Sequence, residues 1–134
     1  MSAPSPELTR RYFRVEEANA RLPLVRAIVK DITELARSLR ERHENLADEA
    51  DAEMERDRDR LEACVEELHQ LGAEMKDFFL GLIDFPGWID DREVCLCWKL
   101  GEGDIEFWHE TDAGFRGRRK INSEFRLRCT PPRS

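Results

Sequence analysis

Large apolar residues recur through the first half of the chain at Leu22, Val25, Val29, Ile32, Ala36 and Leu39, and His43 and Leu46 continue the row. Steps of three and four residues are the a/d spacing of a coiled-coil seam, because they keep side chains on one stripe of a helix. A second row, Leu61, Cys64, Leu68, Leu71, Met75 and Phe78, keeps the same alternation and reaches back to Met54. Between the rows, residues 41–60 are nearly without large apolar side chains. The pattern predicts a helical hairpin over residues 12–79. Its two antiparallel helices, each of ~25–30 residues and ~40 Å, are joined near residues 47–52. One continuous helix is the alternative, since no Gly or Pro interrupts residues 24–71. Pro23 removes an intrahelical hydrogen bond to Asn19 and is well tolerated only in a first turn. A short lead-in helix over residues 15–21, with the long helix starting near Leu22, is therefore expected; a single helix kinked at Pro23 is the other reading.

After residue 80 the period changes to two. Residues 93–100 (EVCLCWKL) and 104–110 (DIEFWHE) alternate, and Gly101-Glu102-Gly103-Asp104 between them is turn chemistry, so the pair reads as a β-hairpin. A turn at Glu102-Gly103 sets Leu100 opposite Ile105, Lys99 opposite Glu106, Trp98 opposite Phe107, Cys97 opposite Trp108, Leu96 opposite His109 and Cys95 opposite Glu110. Opposite charges then meet and aliphatics group together. One face carries Val94, Leu96, Trp98, Leu100, Ile105, Phe107 and His109, and should pack on the helical base. The other carries Cys95, Cys97, Lys99, Glu106, Trp108 and Glu110. A lone hairpin is marginal, so a third strand is expected from residues 80–86 and a short one near residues 121–128. The fold class predicted is α+β: a long antiparallel, coiled-coil-like helical hairpin packed on a small antiparallel β-sheet. One domain spans residues 1–134, with the β unit at residues 80–128 and flexible ends at residues 1–11 and 129–134.

The segments YFRVEEANARLPLV, KDFFLGLIDFP, LCWKLGE, IEFWHE and GFRGR occur in that order. Together they resemble an uncharacterised bacterial family, domain of unknown function 2203, over residues 12–119. The resemblance implies a small cytoplasmic protein of helices plus a compact C-terminal unit, and it implies no activity.

Composition narrows the function classes. A charged fraction of 38% in 134 residues, with mean hydropathy −0.66, suits long helices with much exposed surface. A net charge of −7 argues against nucleic acid or an anionic membrane as the main partner. Charge is uneven: residues 41–62 are rich in Glu and Asp, while Arg116, Arg118, Arg119, Lys120, Arg126, Arg128 and Arg133 make the tail basic. That basic tail reads as a solvated end. No run of 18 apolar residues is present, nor a charged-then-apolar leader, so a cytoplasmic location without membrane spanning is expected. The cysteines Cys64, Cys95, Cys97 and Cys129 lack a disulfide-framework spacing and are read as reduced.

Chemistry concentrates in the C-terminal block. His109, on a half-apolar face, needs a hydrogen-bond partner, and Asp84, Asp77, Glu110 and Asp112 are the candidates. Histidine with carboxylates suits Fe, Mn or Zn; the plainer reading is a structural clasp between hairpin and helix base. Cys95 and Cys97 with Cys129 are a weaker thiolate set, because no C-x-x-C knuckle is present and His109 is expected on the opposite face. His43 and His69 fall on charged helical stretches and read as surface residues. Gly114 and Gly117 permit a tight turn without a phosphate-loop pattern. Trp108, Cys95 and Cys97 form a half-apolar sheet face that would suit a partner. The favoured function is a non-enzymatic interaction or assembly module, a homodimer or one that docks a protein through its helical arm, with no cofactor. The alternative is a small metal-binding protein or metal-dependent hydrolase centred on His109, Asp84, Asp77 and Glu110 with Zn, Mn or Fe.

Overall fold

The structure, a computed structural model, describes residues 11–45 and 52–132. Helix α1 spans Val15–Asn45 and α2 spans Ala52–Gln70. The expected turn near residues 47–52, Leu46 of the first apolar row and the ends at residues 1–10 and 133–134 lie outside the described residues, apart from Ala52, which begins α2. The two helices pack antiparallel: Arg21 of α1 donates to the Leu71 carbonyl at 2.7 Å, and Arg42 near the other end of α1 pairs with Asp57 of α2.

α1 is continuous through Pro23, so no separate lead-in helix forms. Its start explains why. Glu17 accepts from the Arg14 backbone N–H at 2.9 Å, and the Ala18 N–H already donates to the Arg14 carbonyl. This is the reciprocal half of a capping box, and it begins the helix two turns before Pro23. α2 ends earlier than the apolar row suggested. Gly72 adopts φ +98°, its N–H donates to the His69 carbonyl, and the Ala73 N–H reaches the Leu68 carbonyl. That pair of bonds is a Schellman stop. Leu71, Met75 and Phe78 therefore leave the helix, and Glu74–Asp77 forms strand β1 instead. Met75 keeps its place against the core because a strand also turns every second residue inward.

Strands β2 (Leu82–Ile89), β3 (Arg92–Lys99), β4 (Phe107–Glu110) and β5 (Arg119–Lys120) follow β1 in a five-stranded antiparallel sheet of order β1-β2-β3-β4-β5. Asp90 and Asp91, both at positive φ (49° and 61°), make the two-residue turn between β2 and β3, a geometry whose twist matches that of the strands. Pro86 lies within β2 opposite Cys95. Its carbonyl is turned toward the outer edge, where it accepts from the Phe13 N–H at 2.8 Å. A strand residue's N–H points the same way as its carbonyl, so the missing donor costs no bond to β3. The Thr130 N–H donates to the Trp88 carbonyl on that edge, and the Cys129 thiol donates to the Phe13 carbonyl. Cys129, expected at the start of a flexible end, is fully buried, and Thr130 is tied to this edge.

The β3–β4 register differs by one residue from the expected one. Val94 faces Glu110, Cys95 faces His109, Leu96 faces Trp108 and Cys97 faces Phe107. The cause is the connection over residues 100–106, which is not a two-residue turn. Asn19 of α1 accepts from the Ile105 N–H at 2.7 Å, and Gly103 accepts from the Trp98 indole at 2.8 Å and from Arg26. Ile105 is pulled under α1, fully buried, and pairing resumes only at Phe107. A one-residue slip moves every side chain of β4 to the other face. Trp108 therefore joins Val94, Leu96, Trp98, Ile83 and Phe85 in the core against Phe13, Leu22, Val25, Val29 and Ile32, where each large side chain contributes ~1.5–3 kcal/mol by burial.

The strand expected at residues 121–128 is a helix, α3 (Ser123–Arg128), capped by the Asn122 side chain, which accepts from the Phe125 N–H at 2.8 Å. An N-cap asparagine followed by a glutamate in the first turn outweighs the alternation of the segment. Phe125 of α3 stacks on Trp108 with ring centres 4.7 Å apart. Among the described residues no helix is long and apolar enough to cross a membrane.

Candidate metal centre

Three neighbouring strands each contribute one side chain to the sheet face turned away from α1: Asp84 from β2, Cys97 from β3 and His109 from β4. Asp84 and Cys97 are direct cross-strand partners, and His109 is opposite Cys95. Their ligand-type atoms all lie within 4.8 Å of one another, and none of the three side chains is more than about 5% exposed.

The imidazole geometry defines the site. Nδ1 lies 2.7 Å from the Glu110 carbonyl, which can only accept, so Nδ1 carries hydrogen. Nε2 lies 3.1 Å from each of the two Asp84 oxygens. A bare Nε2 lone pair facing a carboxylate is repulsive, so a proton or a metal ion belongs between them. Both ring nitrogens are engaged, and the imidazole has none left to activate Cys95 across the strand.

Burial raises the pKa of Asp84, opposed by the charge and hydrogen bond of His109, the charge of Lys76 and the Cys97 thiol. Burial together with the Asp84 charge pushes the Cys97 thiol up to about 12, against the pull of Arg118. The Cys97 thiol therefore stays protonated at neutral pH and donates to Asp84. A bound divalent cation inverts that balance by displacing the proton.

A cleft of about 290 Å³ opens over the cluster, with Asp84 and His109 in its wall beside Lys76, Leu82, Cys95, Thr111, Gly114 and Phe115. Its outer wall is held by Arg118, whose guanidinium lies 3.9 Å from the ring centre of Phe107 and 4.3 Å from that of Phe115 while donating to Glu102 at 3.0 Å. Burial draws the Glu102 carboxyl upward, but Arg118 and the Lys99 N–H outweigh it and hold the carboxyl below its ordinary range.

Of the expected ligands, His109 and Asp84 meet. Asp77 does not join them: its carboxylate accepts from the Phe79 and Leu80 N–H groups at 2.9 Å and shapes the β1–β2 turn. The Glu110 carboxylate is held bidentately by Arg92 at 2.8 and 2.7 Å, and only its backbone carbonyl serves His109. Asp112 is exposed on the turn after β4. Cys129 lies against Phe13, so the expected trio with Cys95 and Cys97 is not assembled. Trp108 lies on the opposite face from Cys95 and Cys97, and the three form no common interaction surface. His43 and His69 are exposed, as expected. Cys97 beside His109, Lys76 in the cleft wall and Arg118 behind Phe115 were not reached from the sequence. The signal that could have found Cys97 is the Asn19–Ile105 constraint on register, which links residues far apart in the chain.

No curated protein and no solved structure matches this chain. The family described as "Uncharacterized conserved protein (DUF2203)" matches residues 11–121, well over half of the chain and including all three residues of the cluster, and the chain belongs to that family.

Proposed function

We propose that this protein binds one divalent metal ion, zinc by preference, through Asp84, Cys97 and His109, and uses it as a Lewis acid toward a small molecule in the cleft. The observation that carries the reading is the Nε2–carboxylate contact with Nδ1 committed to the Glu110 carbonyl. A backbone carbonyl that fixes the imidazole tautomer is the usual support of a metal-ligating histidine. The 3.1 Å spacing between Nε2 and each oxygen is close to the ~3.3 Å edge of a tetrahedral zinc site with bonds of ~2.0–2.1 Å. A nitrogen, oxygen and sulfur donor set suits zinc better than magnesium or calcium. Three protein donors beside a cleft leave a position for water or substrate, the arrangement of catalytic zinc sites rather than structural ones. An assembly module draws less support, because the apolar face around Trp108 is covered by the chain's own Phe125.

The test is metal analysis of protein purified without an affinity tag, before and after reconstitution with zinc. One equivalent of zinc in the wild type, lost in His109→Ala and in Cys97→Ser, is the expected result. Metal-free protein that takes up no zinc at micromolar concentrations would remove the reading.

A further inference from the structure

A second cavity, of about 390 Å³, lies where β1 gives way to the N-terminal segment along the edge of β2. Arg11, Arg21, His69, Gln70, Glu74 and Pro86 line it, and it shares no lining residue with the cleft over the metal centre. Two guanidiniums converge there on one ring: those of Arg11 and Arg21 lie 4.9 and 5.0 Å from the centre of Phe13. Local structure imposes this arrangement. Phe13 is fully buried, and its N–H donates to the Pro86 carbonyl at 2.8 Å. Gly72, at φ +98°, admits the ring so closely that a Cβ there would lie 2.3 Å from it. Arg21 is held further by the Leu71 carbonyl, to which its Nη1 donates at 2.7 Å. Little of its side-chain freedom is then left to lose on binding.

Each guanidinium carries five N–H donors, and the contacts above leave most of them unused. Arg11 pairs with Glu17 at 3.2 Å, but the two side chains are 55% and 38% exposed. A pair so open to water is weak and yields to a better-placed anion. Glu74 brings a carboxylate to the wall, and Lys76 of the same strand pairs with it at 3.4 Å. The chain as a whole has a net charge of −7, so anions have no general attraction to it and need a local convergence of cations.

We propose that this cavity binds a phosphate group, either inorganic phosphate or the head of a small phosphate monoester, between Arg11 and Arg21 with the His69 imidazole beside it. A carboxylate has two oxygens and is saturated by one guanidinium fork. A phosphate group has three, and it suits two forks brought together from different parts of the chain.

The experiment titrates inorganic phosphate, glycerol 3-phosphate and acetate into the full chain by calorimetry at low salt. Metal is first removed by chelation, so that the Asp84, Cys97 and His109 cluster takes no part. Both phosphates should bind at least tenfold more tightly than acetate. Arg11→Gln and Arg21→Gln should each weaken them at least tenfold, and Arg11→Gln, at an exposed position, should leave the far-UV spectrum unchanged. Arg116→Gln removes the same charge outside this cavity and should leave binding unchanged. Tighter binding of glycerol 3-phosphate than of inorganic phosphate would support a monoester as the occupant; equal or weaker binding would support the free anion. Acetate binding as tightly as phosphate, or no phosphate binding at millimolar concentration, would overturn the proposal. Phosphate binding that survives Arg11→Gln and Arg21→Gln, or that Arg116→Gln weakens as much as they do, would overturn it as well.

Discussion

Cys95 and His109 stand directly opposite one another across β3 and β4, and that pairing puts the imidazole on the same side of the sheet as both β3 thiols. Asp84 reaches the same side from β2 through its pairing with Cys97. The site thus depends on strand register as much as on residue type.

The His109–Asp84 contact should be measurable as a coupling energy. Each partner is buried, and removing one leaves the other without its hydrogen bond. His109→Gln and Asp84→Asn should each destabilise metal-free protein by ~1–3 kcal/mol. The double mutant should fall short of additivity by roughly 0.5–3 kcal/mol in a urea-denaturation cycle. Strict additivity would mean that the two side chains do not interact.

Cys97 should be nearly inert in metal-free native protein. With its thiol pushed from 9.0 to about 12, its thiolate fraction at pH 8 falls on the order of 1,000-fold below that of an ordinary thiol. Iodoacetamide mapping by mass spectrometry should find Cys97 unmodified while the partly exposed Cys64 reacts. The raised value also makes stability alkali-sensitive. The folded chain keeps a proton that the unfolded chain loses, so the contribution is full below pH 9.0 and declines as pH rises toward about 12. Cys97→Ala should flatten that part of the stability curve.

Two glycines separate backbone strain from crowding. Gly81 has φ +68°, and a Cβ there would lie 2.7 Å from the Leu100 Cβ. Gly101 has φ +102° with nothing within 4 Å. Gly101→Ala should cost ~1 kcal/mol through its backbone conformation alone, and Gly81→Ala a further ~1–3 kcal/mol for the overpacked Leu100. Equal losses in thermal denaturation would show that Leu100 yields freely.

Acid should weaken the wall of the cleft. Glu102 is held below its ordinary pKa, so the stability it contributes is present above ~pH 4.3 and is lost as pH falls through the lower folded value. Wild type should melt above Glu102→Gln at pH 6, and the gap should close on acidification toward pH 3. A gap that is constant with pH would remove the ion pair with Arg118 as its source.

The helices and β3 were legible because their signals are local. Leu22, Val25, Val29 and Ile32 repeat every turn, and Val94, Leu96 and Trp98 alternate. The end of α2 was not, because Met75 continues the helical row while Gly72 ends the helix, and a helical period and a strand period coincide there for one residue. The β4 register was not legible either, since Asn19 reaches across the fold to hold Ile105. The site inherited both outcomes. His109 and Asp84 could be paired on chemistry, whereas Cys97 depends on a slip of one residue that no local pattern records.

Phe13 and Cys129 touch, and the segments around them, Phe13 on one side and Thr130 on the other, finish the same edge of β2. During synthesis, α1 and α2 leave the ribosome long before the segment that closes this edge. Until Thr130 emerges, one flank of the central sheet lacks its neighbour, and Trp108 waits uncovered for Phe125. Joining residues 116 apart is a slow, entropically opposed step. A chain ending shortly before Cys129 should therefore keep Phe125 over Trp108 yet leave this edge of β2 open to other strands.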